Sequence, residues 1–365
     1  MKVAYLLGSL SRGGTETLLL DLFVNAKKTT FEIMGIHRKN GELRDAFYKT
    51  ELDFYQLEPK FPFDPIYLYR LRKLLKKNRV YIVHAQQSID AVYVAIALIG
   101  TGIKVVQTFH GYDMKCGAYP LFIMKLSMRC VARNLFVSYT QKSYYQKKYS
   151  LKENQCGVVY NGVSFDKLDN FEKKSIREEL NIDKNTLLLG SVGNFLDVRD
   201  QYTICLFLKL LKEKDICFKF LFVGKASDSA KYQKCVDFCC QNGLETEVLF
   251  LGSRIDVPNI LNQIDAFVYA SDHDTFGIAV IEAIASSLPT FVNDWDAMRE
   301  ITEDGRFATL YKTKDVNDLL NKMDDFICHI GAYKENAKVA SLEIRKKYSI
   351  ESHINQLFAV YNLIK

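Results

Sequence analysis

The chain has 365 residues, 48% hydrophobic and 25% charged, an ordinary globular composition too long for one core, so two domains are expected. Its net charge of +6 hides an asymmetry: residues 1–167 hold 25 Lys+Arg against 13 Asp+Glu, a net of +12, and the remainder carries a net of −6. Nothing reads as a signal peptide, the longest apolar stretch (AVYVAIALIG) is too short to span a bilayer, and the nine cysteines lack metal-ligand spacing, so a cytoplasmic chain with reduced thiols is expected.

In chain order, KVAYLLG reads as a buried strand that runs into the Gly-rich turn SLSRGGTET and a helix start. Gly13 and Gly14 let backbone N–H groups approach a ligand, and a phosphate at that helix end is favourable. A turn that simply needs glycine stays open beside that reading. FEIMGIH is the next strand. LYRLRKLLKKNR at 68–79 then places Leu68, Leu71, Leu74 and Leu75 at helical spacing among basic residues. Such a helix either lies on an anionic membrane surface or packs on the core with a solvated basic face. Nucleic acid is not expected, because no recognition motif accompanies the charge.

YIVHAQ, KVVQTFH, LFVSYT and GVVYNGV complete the strands of the first half. KVVQTFH ends on His110 beside Gly111, where a strand end points at a ligand in this architecture; a purely structural histidine is the alternative. The polar run SFDKLDNFEKKS at 164–175 separates the halves and is read as the linker. The second half repeats the pattern with LLLGSVGNF, FKFLFVG, EVLFLGS, AFVYAS and PTFVND, and ends on the helical tail IESHINQLFAVYNLI. Strands alternating with helices predict parallel sheets covered on both faces, hence two doubly wound domains with a ligand cleft at the strand ends. The predicted divisions are 1–167, 168–348 and a final helix at 349–365 that returns to the first domain.

SVGNFLDVRDQ puts Asn194 and Arg199 just past a strand, with Arg199 where a helix begins, a place that suits an anionic ligand. Residues 270–294, ASDHDTFGIAVIEAIASSLPTFVND, carry two acids separated by seven residues inside an apolar run. The helix is predicted to start near Phe276–Gly277, and the amides of Phe276, Gly277 and Ile278 then form an anion site. Glu282 lies about one and a half turns further in, where its carboxylate can accept vicinal hydroxyls; Asp274, in the turn, can do the same for a second sugar. A bonded core carboxylate and an N-cap are the respective alternatives.

Together these segments resemble the retaining glycosyltransferases of family 4, whose fold is GT-B: α/β, two Rossmann-like doubly wound parallel-sheet domains facing across a cleft. The likeness covers nearly the whole chain. It rests on the early Gly-Gly-x-Glu turn (Gly13, Gly14, Glu16), HGYD, VVYNGV, VGNFLDVRDQ, VLFLGSRIDVPNIL and the acid-x7-acid segment with its FG and EA pairs.

The resemblance implies a nucleotide sugar, most often a UDP-sugar, in the second domain. Glu282 would bind the ribose; Asp274 and the amides of Phe276, Gly277 and Ile278 would hold sugar and diphosphate. Arg199 would neutralise the leaving diphosphate, and the loop Gly252–Arg254 would border the base. Gly14 would touch the diphosphate and His110 the transferred sugar. Two departures stand out. Asn194 replaces the usual Arg, and Arg199 the usual Lys; Asp274 and Thr275 replace the usual Glu and Gly. No metal and no cofactor is expected, with a helix end and Arg199 meeting the diphosphate charge instead.

The expected activity is transfer, with retention, of a sugar from a UDP-sugar to a lipid-linked or polysaccharide acceptor in bacterial surface-glycan synthesis, at the inner face of the cytoplasmic membrane. The alternatives are a UDP-N-acetyl sugar epimerase of the same fold, and a catalytically silent sugar-nucleotide binder, which the missing cation at Asn194 favours.

Overall fold

The protein is described here by a computed structural model, in which residues 1–114 and 116–364 are described; Lys115 and Lys365, the last residue of the predicted final segment, lie outside them. The chain divides into two compact units. Unit 1 comprises Met1–Val163 with Ile350–Lys365, and unit 2 comprises Ser164–Ser349. The polar run at 164–175 packs within unit 2: it holds a short helix, Asp166–Asp169, whose Asp169 carboxylate receives both Nη1 and Nη2 of Arg345 at 2.8 Å.

Unit 1 is built on seven strands: β1 (Lys2–Ser9), β2 (Glu32–Lys39), β3 (Phe54–Gln56), β4 (Ile82–Ala85), β5 (Lys104–Phe109), β6 (Arg133–Phe136) and β7 (Cys156–Val158). They pair in parallel in the order β3-β2-β1-β4-β5-β6-β7. Unit 2 has six: β8 (Leu187–Val192), β9 (Phe218–Val223), β10 (Val248–Gly252), β11 (Ala266–Tyr269), β12 (Thr290–Asn293) and β13 (Thr309–Tyr311). Their order is β10-β9-β8-β11-β12-β13, again all parallel. Each sheet reverses its order beside its first strand, which makes both doubly wound, as expected.

The strands read as continuous apolar runs because both faces are covered. Along β1, Val3, Tyr5 and Leu7 enter one core while Ala4 and Leu6 enter the other, the period-2 alternation of a strand. The first core also receives Ile350, Ile354, Leu357 and Tyr361 of the final helix, Ile350–Ile364. The two strands missed in the sequence, β3 and β13, are three-residue edge strands with a neighbour on one side only. Such short edges bury too little apolar surface to leave a pattern. GVVYNGV was expected to be a strand throughout, yet only Cys156–Val158 pairs.

The basic run forms the helix Pro65–Lys77, started by Pro65 and capped by the Asp64 carboxylate, which accepts from Ile66 N at 2.9 Å. Tyr67, Leu71 and Leu75 are buried, whereas Arg70, Lys73, Lys76 and Lys77 are exposed beside Ile66 and Tyr69. Arg72 is spent on structure, donating to the carbonyls of Ala97 and Ile99. Among the described residues no helix is long and apolar enough to cross a membrane.

Candidate functional site

In unit 2 the strand order reverses between β8 and β11, so the loops after these strands form the natural ligand position. After β8 the chain passes Gly193 and Asn194 and reaches Arg199, directly before the helix Gln201–Glu213 and its N-cap Asp200, whose carboxylate accepts from Thr203 N at 3.3 Å. After β11 it runs through Ser271 to Asp274. Backbone bonds stitch the loops together: Asp200 N donates to Ala270 O at 3.2 Å and Asp272 N to Val198 O at 3.0 Å.

Across this seam the Arg199 guanidinium carbon lies 4.3 Å over the Tyr269 ring, and Nη1 lies 3.3 Å from Asp274 Oδ2. The contact with Asp274 is an ion pair without hydrogen-bond geometry: Nε and Nη1 of Arg199 are buried and have no hydrogen-bond acceptor. Burial pulls the guanidinium below its usual value, against the opposing field of Asp274. Gly193 makes the close approach possible, since a Cβ there would stand 3.4 Å from the guanidinium carbon on a backbone at φ +155°.

Asp274 is equally committed. Its Oδ2 accepts the Tyr269 hydroxyl at 2.5 Å, its Oδ1 the Phe276 amide at 3.3 Å, and its carbonyl the indole N–H of Trp295 at 2.9 Å. Asp274 is therefore not the cap of the helix that follows. That place belongs to Gly277, at φ +74° and ψ +58°, and the helix runs from Ile278 to Ala285. The left-handed backbone at Gly277 favours glycine, and a Cβ there would also stand 2.9 Å from the flexible end of Met298. Of the three amides expected to face an anion, that of Phe276 is taken by Asp274. Those of Gly277 and Ile278 have no protein acceptor among the described residues.

Six of the eight helix residues are buried, and Ile278 and Glu282 are half-buried one turn apart. Glu282 sits on the one stripe of the helix that the core does not cover.

The other sequence candidates of unit 2 make bonds of their own. Asn194 is exposed, and its Oδ1 accepts from Lys225 N at 2.9 Å, tying the β8 loop to the end of β9. Gly252 ends β10 at φ +65°, and its carbonyl accepts from Gly224 N. Arg254 was expected to border a ligand. It clasps two carboxylates, with Nη1 and Nη2 on Glu179 at 2.6 and 3.0 Å and with Nε and Nη2 on Asp256 at 2.8 Å. Those charges raise its pKa further, and the clasp leaves Ile255 on the surface, 97% exposed.

In unit 1 the equivalent position between β1 and β4 is a cavity of about 360 Å³ lined by Gly8, Glu16, Gln86, Thr108 and His110, among others. The Gly13–Gly14 turn starts the helix Gly14–Val24, and burial raises the Glu16 carboxyl above its usual range. His110 Nε2 lies 2.8 Å from Gln86 Oε1, and burial, with His353 adding a like charge, lowers its pKa to about 4, so the ring is neutral at pH 7. Gln86 Nε2, in a residue 8% exposed, has no hydrogen-bond partner. Among the described residues no Lys or Arg lines this cavity.

A buried network in the same unit had no sequence signal. Tyr361 of the final helix shares hydrogen bonds of 2.7 Å with Tyr5 and with His84 Nδ1, and His84 Nε2 reaches Thr108 at 2.7 Å. His353 Nδ1 meets the Tyr160 carbonyl at 2.6 Å. Among the described residues no group of three or more His, Cys, Asp or Glu is placed to hold a metal ion.

Comparison with known proteins covers both units. The profile described as Glycosyltransferase Family 4 matches residues 12–167, and that described as Glycosyl transferases group 1 matches residues 172–337. The chain is 21% identical to the N-acetyl-alpha-D-glucosaminyl L-malate synthase of Bacillus anthracis, over 86% of this chain and 83% of that one. It is 25% identical to the UDP-Gal:alpha-D-GlcNAc-diphosphoundecaprenol alpha-1,3-galactosyltransferase of Escherichia coli, over 72% and 71% respectively. In fold it matches Anabaena Alr3699/HepE, solved with UDP and glucose, at a TM-score of 0.84 and 16% identity, covering 99% of each chain.

Proposed function

The chain belongs to the glycosyltransferases of family 4, and from that premise we propose that it moves a sugar, with retention, from a UDP-sugar to a lipid-linked or polysaccharide acceptor in bacterial surface-glycan synthesis. The observation that carries the reading is a desolvated cation, Arg199, held against Asp274 where the second sheet reverses its order, with the open amides of Gly277 and Ile278 and the half-buried Glu282 following Asp274 in the chain. A nucleoside diphosphate presents groups in the matching order, with phosphates for the cation and helix end and ribose hydroxyls for Glu282. The UDP held by the Anabaena neighbour and the diphosphoundecaprenol acceptor named for the E. coli relative support the choice of nucleotide and of acceptor.

In this reading the catalytic task is electrostatic. Arg199 and the helix end stabilise the charge that develops on the departing diphosphate, without a metal. No carboxylate stands as an evident nucleophile, so the acceptor attacks from the leaving-group face and the departing phosphate takes its proton, which retains the anomeric configuration. In unit 1, neutral His110 and the amide of Gln86 give the cavity polar groups suited to hydroxyls. Incubation with a panel of UDP-sugars and lipid-linked or glycan acceptors tests this directly. UDP release with a retained anomeric centre by NMR is expected, and an inverted product overturns the mechanism. UDP binding with no turnover on any donor favours the silent binder.

The exposed basic face of the helix Pro65–Lys77 supports a second element of the proposal, peripheral contact with an anionic membrane. The protein is expected to co-sediment with vesicles containing anionic lipid at low salt and to be released at high salt. Failure to bind at low salt removes the membrane from the account.

A further inference from the structure

Tyr269 reads in the sequence as one more aromatic of a buried strand. It is 1% exposed at the end of β11. Its backbone is fixed by pairing with Val292 and by the Tyr311 hydroxyl, which donates to the Tyr269 carbonyl at 2.8 Å. From that anchored position its two ends hold the two charged groups of the site. The ring lies under the Arg199 guanidinium at 4.3 Å, and the hydroxyl donates to Asp274 Oδ2. The same Oδ2 is the atom 3.3 Å from Arg199 Nη1. One carboxylate oxygen thus serves both a neutral donor and a cation, and the cation still has Nε and Nη1 without hydrogen-bond acceptors.

We propose that Tyr269 is the positioning residue of the donor site: its ring carries Arg199 and its hydroxyl carries Asp274, so that an incoming diphosphate replaces Asp274 as the partner of Arg199 while Asp274 stays aimed at the transferred sugar. The inference rests on the reading of this site as a nucleoside-diphosphate site and deepens it. Its physical basis is competition. A guanidinium over an aromatic ring is held without using its N–H groups, so these stay available to phosphate oxygens, which make the stronger, charge-assisted bonds. The carboxylate is released cheaply because the tyrosine hydroxyl remains as its donor. Remove the hydroxyl, and Asp274 is left with Arg199 as its main partner and competes harder with the phosphate.

The test uses the whole protein and UDP, GDP and ADP as probes, in calorimetry and in the fluorescence of Trp295. That residue is the sole tryptophan and is bonded to the Asp274 carbonyl. Tyr269→Phe is expected to weaken nucleotide binding by about 5-fold, the equivalent of one net hydrogen bond. In an Asp274→Asn background, where no anion competes for Arg199, the same change is expected to have an effect below about 2-fold. Tyr269→Leu, which removes the ring, is expected to weaken binding in both backgrounds. A merely structural tyrosine gives equal effects of Tyr269→Phe in the two backgrounds, and that result, or no effect in either, overturns the inference while the wild type still binds nucleotide. A wild type that binds none of the three nucleotides overturns the reading of the site and this inference with it.

Discussion

Replacing Arg199 by methionine is expected to weaken UDP binding by roughly 10- to 150-fold, the range spanned by the ~1.5–3 kcal/mol of a hydrogen bond to a charged group. The melting temperature is expected to stay level or rise. The two halves of the result come from one fact. Arg199 Nε and Nη1 are buried without hydrogen-bond acceptors, so the folded protein carries a desolvated cation that the ion pair with Asp274 only partly offsets. Methionine fills similar space over Tyr269 and removes that burden, while Asp274 keeps the Tyr269 hydroxyl and the Phe276 amide. Calorimetric titration with UDP and a thermal melt of the same variant check both halves. Loss of stability in step with loss of binding would make Arg199 a structural residue and remove the cation from the proposed chemistry.

Unit 1 is expected to lose stability steadily as pH falls below about 6.5. Burial lowers the pKa of His84 to about 3 and those of His110 and His353 to about 4, all from 6.5. The three rings are neutral in the folded unit, whereas an unfolded chain protonates them near 6.5. Between that value and about 4 the unfolded state therefore binds more protons, and stability rises with pH. It is fully present above 6.5 and lost on acidification, by about 2 kcal/mol per ring at pH 5. Glu16 and Asp90, whose pKa values burial raises, act in the opposite sense and offset part of the loss. Opening free energies from hydrogen exchange of the β4 and β5 amides between pH 7.5 and 5 check the slope, and His353→Gln is expected to reduce it by about one proton. A flat profile would mean that the rings are charged in the folded unit.

The two doubly wound sheets were legible because parallel strands buried on both faces leave unbroken apolar runs, and eleven of the thirteen strands coincide with such runs. The candidate residues of the site were legible for a related reason: glycine, a lone arginine and acids stand out against an apolar background. What could not be read was which of them meet. Arg199 and Asp274 are 75 positions apart and joined by a seam of loop bonds, and Tyr269 is disguised as a strand residue. Nor does the sequence show that Arg254 meets Asp256 and Glu179, one near and one distant. Tyr5, His84 and Tyr361 come together only because the final helix joins unit 1. Side chains far apart in the chain that meet only on folding leave no local pattern.

The central claim is that the reversal of the second sheet binds a nucleoside diphosphate through Arg199, the helix end and Glu282. Calorimetric titration with UDP in EDTA, for the wild type and for Glu282→Ala, tests it most directly. The account predicts metal-free binding that the substitution weakens by about 10-fold or more, ~1.4 kcal/mol, since Glu282 lies on the uncovered stripe of its helix and its removal opens no core cavity. UDP binding unchanged in Glu282→Ala, or absent from the wild type, would contradict it.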